Sequence, residues 1–246
     1  MALHPAERKI LEKLSARNIL ELGCGKGYTV DDLLKFYDNV FGIDPVLNLL
    51  KDEETLEHFG ETDNFYIAIA RGDGLPFPES SFDGIFSHWA IHHYRYPLAV
   101  LSEAHRTLTP GGWLYIADGI SYTSQELTPQ QENHLHFHEI AVAADRFMKN
   151  DHFPLRQLED IAQLIKRAKF TVEYMEVVVA ENPEDARTEE NYIDSYVKNL
   201  QTMRKKLEEF KSADGIIKKI DRLIDSLKSN GLRIAPFAAI VARKRK

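Results

Sequence analysis

Apolar residues recur along this chain in two rhythms. Short runs of apolar and β-branched residues occupy 19–22, 40–45, 64–70, 81–87, 113–118, 170–180 and 234–242. Runs of that length bounded by Gly, Pro or Asp read as strands. Between them apolar positions recur at helical spacing: Ile10, Leu11 and Leu14; Val30, Leu33, Leu34 and Tyr37; Leu98, Val100, Leu101, Ala104 and Leu108; Leu155, Leu158, Ile161, Ala162 and Ile165. Residues 48–59 are charged and helical in period. Strand and helix alternate, which predicts an α/β fold, a doubly wound and mostly parallel sheet of seven strands.

Two stretches interrupt that alternation. In the first, Thr128 is a good N-cap and Pro129 fits the first helical turn, so a helix is predicted to about Lys149. In the second, residues 184–229 are highly charged, with helix-spaced Ile193, Tyr196, Val197, Leu200, Met203, Leu207 and Phe210, then Ile216, Ile217, Ile220, Leu223, Ile224 and Leu227. Two amphipathic helices fit, packed on the domain or on each other; a homo-oligomer surface or a partner groove fits equally. The reading is one domain, 1–246, with helical insertions at about 119–155 and 183–231.

The chemistry concentrates after the first strand, in Glu21-Leu22-Gly23-Cys24-Gly25-Lys26-Gly27-Tyr28. Glycines at alternate positions let a ligand pass close over bare backbone, and the N–H groups at the following helix start suit an anionic group such as a carboxylate. The dinucleotide fingerprint needs its third glycine one residue later, where Tyr28 stands. The stretch instead resembles the first motif of class I S-adenosylmethionine-dependent methyltransferases, (Glu/Asp)-x-Gly-x-Gly-x-Gly. Three later segments continue the resemblance: Asp73-Gly74-Leu75-Pro76-Phe77 after the third strand, Phe82-Asp83-Gly84-Ile85 in the fourth, and Arg106-x-Leu108-x-Pro110-Gly111-Gly112 before the fifth. It runs from residue 19 to 118 and thins beyond.

The resemblance implies a Rossmann-like fold with the seventh strand antiparallel between the fifth and sixth, the helical insertions forming a cap, and S-adenosyl-L-methionine as cofactor. It implies that Glu21, Gly23, Cys24, Gly25 and Gly27 hold the methionine end. Asp44, followed by Pro45, ends the second strand, where a carboxylate can accept from both ribose hydroxyls; an Asp-Pro helix cap is the alternative. Asp73 is implied to accept from the adenine amino group, with the backbone N–H of Gly74 on the ring. Ser87, His88 and Trp89 are implied to line the cofactor. His92 or His93 then serves as a general base, or closes the loop by bonding backbone. In the first insertion His134 and His138 share a helical face beside Glu139, which reads as a wall of the acceptor pocket or as an exposed helix. No metal is expected, since two His and an acid do not fill a first shell.

Bulk properties refine this. The chain has 246 residues, a formal net charge of −7 and a single cysteine, Cys24. Net acidity disfavours nucleic acid as a partner, and the basic tail 243–246 reads as solvated. One cysteine precludes an intrachain disulfide and fits a reducing compartment. No apolar run approaches the roughly 20 residues that span a bilayer, and no signal pattern opens the chain. The expectation is a cytoplasmic methyltransferase acting on a small-molecule acceptor. The alternatives are a protein or RNA methyltransferase and a non-catalytic cofactor-binding partner protein.

Overall fold

The computed structural model describes residues 3–46, 59–60, 62–121, 127–179 and 190–246, the last from residue 193 for side chains. The predicted helix at 48–59 falls outside these residues apart from Phe59. The chain divides into two compact units. The first comprises Met1–Asp118, Gln157–Val177 and Ala238–Lys246; the second comprises Gly119–Arg156 and Val178–Phe237.

The first unit is built on a seven-stranded sheet. Its strands are β1 (Asn18–Leu22), β2 (Asn39–Asp44), β3 (Phe65–Ile69), β4 (Phe82–His88), β5 (Leu108–Gly119), β6 (Phe170–Val178) and β7 (Phe237–Lys244). The order is β3-β2-β1-β4-β5-β7-β6. The pairs β3–β2, β2–β1, β1–β4 and β4–β5 are parallel. Strand β7 lies between β5 and β6, and the sheet is mostly parallel with an antiparallel element. Strand order reverses between β1 and β4, and ligands bind outside the carboxyl ends of strands at such a switch point. Helices α1 (Pro5–Leu11), α2 (Val30–Leu33), α3 (Pro97–Thr107) and α5 (Leu158–Arg167) belong to this unit, with α3 packed on α5.

The strands form where they do because their apolar runs are buried. Ile19, Leu20, Leu22, Ile85, Phe86, Trp113 and Tyr115 are almost wholly excluded from solvent. Trp113 lies over Gly84, where an added Cβ would stand 2.2 Å from Cζ2 of the indole. The indole N–H donates to the Ser15 carbonyl at 3.1 Å. Pro110-Gly111-Gly112, expected to precede the fifth strand, is instead the early part of β5, with Gly111 at φ 84°. The β4–β5 register shifts there, between Phe82 and Gly84.

In the second unit α4 (Pro129–Met148), α6 (Glu190–Leu207) and α7 (Asp214–Asn230) share one core. It holds Ile140, Ala144, Leu200, Leu207, Ile220 and Leu227. Thr128 caps α4 through a capping box with Gln131, as its residue type predicts. The apolar stripes of α6 and α7 therefore face each other and α4. Buried Asn133 fixes the ends, donating to Gly231 O at 2.8 Å and accepting from Ser226 Oγ at 2.7 Å. Among the described residues no helix is long and apolar enough to cross a membrane.

Candidate active site

The glycine turn after β1 has the backbone its composition predicts. Gly23, Gly25 and Gly27 lie in the left-handed region, at φ 77°, 52° and 70°. A Cβ on Gly23 would stand 2.9 Å from Cβ of Ala90, so the loop after β4 closes directly on the turn. A Cβ on Gly25 would meet nothing within 4 Å among the described residues. The turn's amides differ from expectation, because several already have acceptors. Gly23 and Cys24 donate to the Ile43 carbonyl at 2.9 and 3.0 Å, and Gly27 to the Cys24 carbonyl at 2.8 Å. Gly25 donates to Oδ2 of Asp44 at 3.1 Å. Helix α2 has only four residues. The turn's contribution is thus close approach more than anion capture. Cys24 is buried, and burial, with Glu21 and Asp44 nearby, pushes its thiol up, so it is no nucleophile.

Two carboxylates flank the turn. Glu21 is 3% exposed and accepts from the Thr29 hydroxyl through Oε1. Its Oε2 is buried and has no hydrogen-bond partner among the described residues. Burial pushes the carboxyl up to about 7. Asp44 ends β2 with Oδ2 on Gly25 N–H and Oδ1 on Val46 N–H at 2.8 Å. That ties the residues after Pro45 back in an Asx-type turn. A cofactor with an ammonium group and a ribose fits this set: Glu21 Oε2 has acceptor capacity to give, and Gly25 offers bare backbone.

The third expected carboxylate is engaged differently. Asp73 accepts from Arg71 Nε and Nη2, both at 3.0 Å, and that guanidinium holds its carboxyl below the usual range. The Gly74 N–H, expected on the adenine ring, donates to the Arg71 carbonyl at 3.2 Å. Arg106 secures the segment that follows, donating to the Phe77 and Leu75 carbonyls at 2.8 and 3.1 Å and to Glu103. Glu103 in turn accepts from Leu75 N–H at 2.9 Å.

Strand β4 carries the next group of expected site residues. Ser87 is buried, its hydroxyl 3.3 Å from the Tyr94 hydroxyl, which donates to the Leu22 carbonyl at 3.2 Å. Trp89 adopts φ 51° and donates its N–H to Ala117 O at 2.7 Å. Left-handed backbone at a bulky residue is strained and persists only where neighbours enforce it. His88 stands apart from this group. It faces α1, stacked on Phe86, with Nε2 3.4 Å from Glu7. Glu7 is buried and also accepts from the Tyr115 hydroxyl at 3.1 Å. Burial raises its carboxyl, but attraction to His88 and these hydrogen bonds outweigh it and hold the group below the usual range.

The two adjacent histidines separate sharply. His92 and His93 lie on a single 3-10 turn, Ile91–His93. His92 is buried, with Nδ1 2.5 Å from Oδ1 of Asp118, while His93 is exposed. Asp118 is wholly buried at the end of β5, and its Oδ2 accepts the Ile91 N–H at 2.7 Å. The carboxylate thus fixes both the turn's backbone and the ring. With Nδ1 donating to it, the basic lone pair of His92 lies on Nε2, as a general base requires. Asp118, Tyr94 and Thr29 were missed as site residues. Position at a strand's carboxyl end is the one sequence signal that marks Asp118.

In the second unit His134 is buried and its Nδ1 accepts from Ala235 N–H at 3.3 Å. His138 is half-buried and Glu139 exposed, so Glu139 points away from the face the two histidines share.

Residues 20–116 match the family described as "Methyltransferase domain". Over those residues the chain is similar to methyltransferase domains, in keeping with the resemblance its motifs bear to the class I S-adenosylmethionine-dependent methyltransferases. The residues around the glycine turn fit S-adenosylmethionine, the cofactor that the first motif implies. One relative, named tRNA U34 carboxymethyltransferase, from Campylobacter curvus, is 31% identical over 104 residues, 42% of this chain and 35% of its own length. The same name recurs among other relatives, including one from Pseudoalteromonas translucida. A second kind of relative, the biotin biosynthesis bifunctional protein BioHC of Teredinibacter turnerae, is 28% identical over 41% of this chain and 19% of its own length. The chain therefore spans about a third or less of these relatives. A solved S-adenosylmethionine-dependent methyltransferase from Methanosarcina mazei shares the fold, with a TM-score of 0.59 at 18% identity, covering 100% of this chain and 99% of its own.

These relatives overturn the exclusion of nucleic acid as a partner. Relatives of this acidic methyltransferase domain carry a tRNA in their name. The exclusion failed because net charge is an average over the surface, whereas a polyanion meets local charge. Between Lys198 and Lys228 nine basic residues face five acidic ones, inside a chain of net charge −7.

Proposed function

We propose that this protein transfers the methyl group of S-adenosylmethionine to a nucleophile that loses a proton in the reaction, with His92 as the base. The observation that carries this reading is the buried His92–Asp118 pair, held at 2.5 Å on the loop whose Ala90 closes against Gly23. When bound, the cofactor supplies an electrophilic carbon on a cationic sulfur. Glu21 and the glycine turn would hold its methionine end and Asp44 its ribose. Ser87, Tyr94 and the strained backbone at Trp89 would shape the reacting side. The chemistry the cofactor would supply is an in-line displacement at that carbon, so these residues' chief task would be to align the acceptor. The acceptor's proton goes to Nε2 of His92, and Asp118 stabilises the imidazolium that results.

A tRNA base is our first reading for the acceptor. The names of several relatives and the basic excess between Lys198 and Lys228 support it. A small-molecule acceptor is the second, favoured by the relative named for biotin biosynthesis. Release of S-adenosylhomocysteine, measured with transfer RNA and with a panel of small acids, amines and phenols, separates them. Turnover with tRNA that falls steeply with salt supports the first; salt-insensitive turnover on one small compound supports the second. Absence of release with every acceptor, despite tight cofactor binding, would count against catalysis.

A further inference from the structure

The second unit contains a histidine pair that the methyl-transfer reading does not use. Helix α4 ends at Met148, and Lys149 then turns the backbone left-handed, at φ 57°. The turn carries the chain back along the last part of the helix. It brings His152 against His138, ring centroids 4.8 Å apart and planes at 76°. Each offers a ring nitrogen within 4.8 Å of the other's, and Nε2 of both is buried. Asp145 stands behind the pair. Its Oδ2 lies 2.8 Å from Nδ1 of His152, and its Oδ1 accepts from Asn150 Nδ2 at 2.9 Å.

That arrangement differs from two histidines buried for packing. A carboxylate on Nδ1 fixes the His152 tautomer and leaves the lone pair on Nε2. Carboxylate–histidine pairs of this kind recur behind metal ions. The T-shaped ring contact brings two imidazole donors side by side, and imidazole nitrogen is an established zinc ligand, at roughly 2.0–2.1 Å. Imidazole donors select zinc, copper, iron or nickel over magnesium or calcium. His134 and Glu139 do not complete the set, since His134 accepts from Ala235 and Glu139 is exposed.

We propose that His138 and His152 are protein ligands of a divalent transition-metal ion, with Asp145 as the positioning residue behind His152. Two imidazoles leave further coordination positions to water or to an anionic ligand atom. The inference does not rest on the methyl-transfer reading, and its test needs no turnover.

The full chain, stripped with a chelator and dialysed, is titrated with Co2+ by visible absorption and with Zn2+ by calorimetry. The expected result is one equivalent bound, with visible ligand-field bands for cobalt. His138→Gln and His152→Gln, which keep volume and polarity, are expected to weaken binding at least tenfold. Asp145→Asn is expected to weaken it about 10–100-fold, with the cobalt spectrum shifted rather than abolished. Circular dichroism establishes that each variant is folded. Failure of the folded wild type to bind either ion stoichiometrically would overturn the proposal. So would equal affinity in wild type and both glutamine variants, which would assign the ion to other histidines.

Discussion

Asp118 and His92 stand 2.5 Å apart, carboxylate oxygen to Nδ1, and both are buried. The second oxygen of Asp118 holds the Ile91 amide, so one side chain sets the tautomer of the ring and the shape of the turn that carries it. His92→Ala is expected to lower kcat by about 10²–10⁴-fold, the usual worth of a positioned base, with cofactor affinity unchanged. Asp118→Asn should lower kcat in the same direction, since the amide can still accept from Ile91 but no longer stabilises an imidazolium. Exposed His93 should tolerate Ala. Steady-state kinetics beside calorimetry checks all three; full activity in His92→Ala would remove the base from the account.

Glu21 couples the site to pH. Burial raises its carboxyl to about 7 in the folded chain, against about 4.5 unfolded. Between those values the folded state binds the extra proton, so its contribution to stability is fully present below pH 4.5 and is lost as pH rises through 7. Cofactor affinity should run the opposite way, because an ionised Glu21 pairs with an ammonium group. Glu21→Gln is expected to flatten both trends. Urea melts and cofactor titrations from pH 5 to 8 measure them; wild-type affinity that does not rise with pH would contradict the pairing.

Asp44 accepts backbone N–H groups through both oxygens and has further lone pairs to offer. Asp44→Ala should weaken S-adenosylmethionine binding by about 1–3 kcal/mol, the cost of losing a charged hydrogen-bond partner. Calorimetry reads this directly, and an unchanged Kd would detach Asp44 from the ribose.

Gly84 has no room for a side chain, with the Trp113 indole 2.2 Å from where a Cβ would sit. Gly84→Ala should destabilise the protein by about 1–3 kcal/mol or more, the range for overpacked cores. A urea midpoint equal to wild type would show that the indole moves freely.

The sheet was legible because its strands are short apolar runs that only burial explains, Ile19–Leu22 and Trp113–Asp118 most plainly. The glycine turn was legible because bare backbone has few other uses at that spacing. Side-chain direction was harder. β4 continues through His88, so the two-residue period sends Ser87 and His88 to opposite faces, and His88 meets Glu7. Nothing local distinguishes His92 from His93; the distinction comes from Asp118, which reaches the turn from another strand. His152 approaches His138 only because Lys149 turns left-handed after α4, which its residue type does not announce. Charge misled because a whole-chain sum conceals the basic excess between Lys198 and Lys228.

The most direct test is calorimetric titration of the purified chain with S-adenosylmethionine. The account predicts one-to-one binding, competed by S-adenosylhomocysteine, weakened by Asp44→Ala and Glu21→Gln, and unaffected by His92→Ala. No heat of binding, or binding that survives both carboxylate substitutions intact, would contradict it.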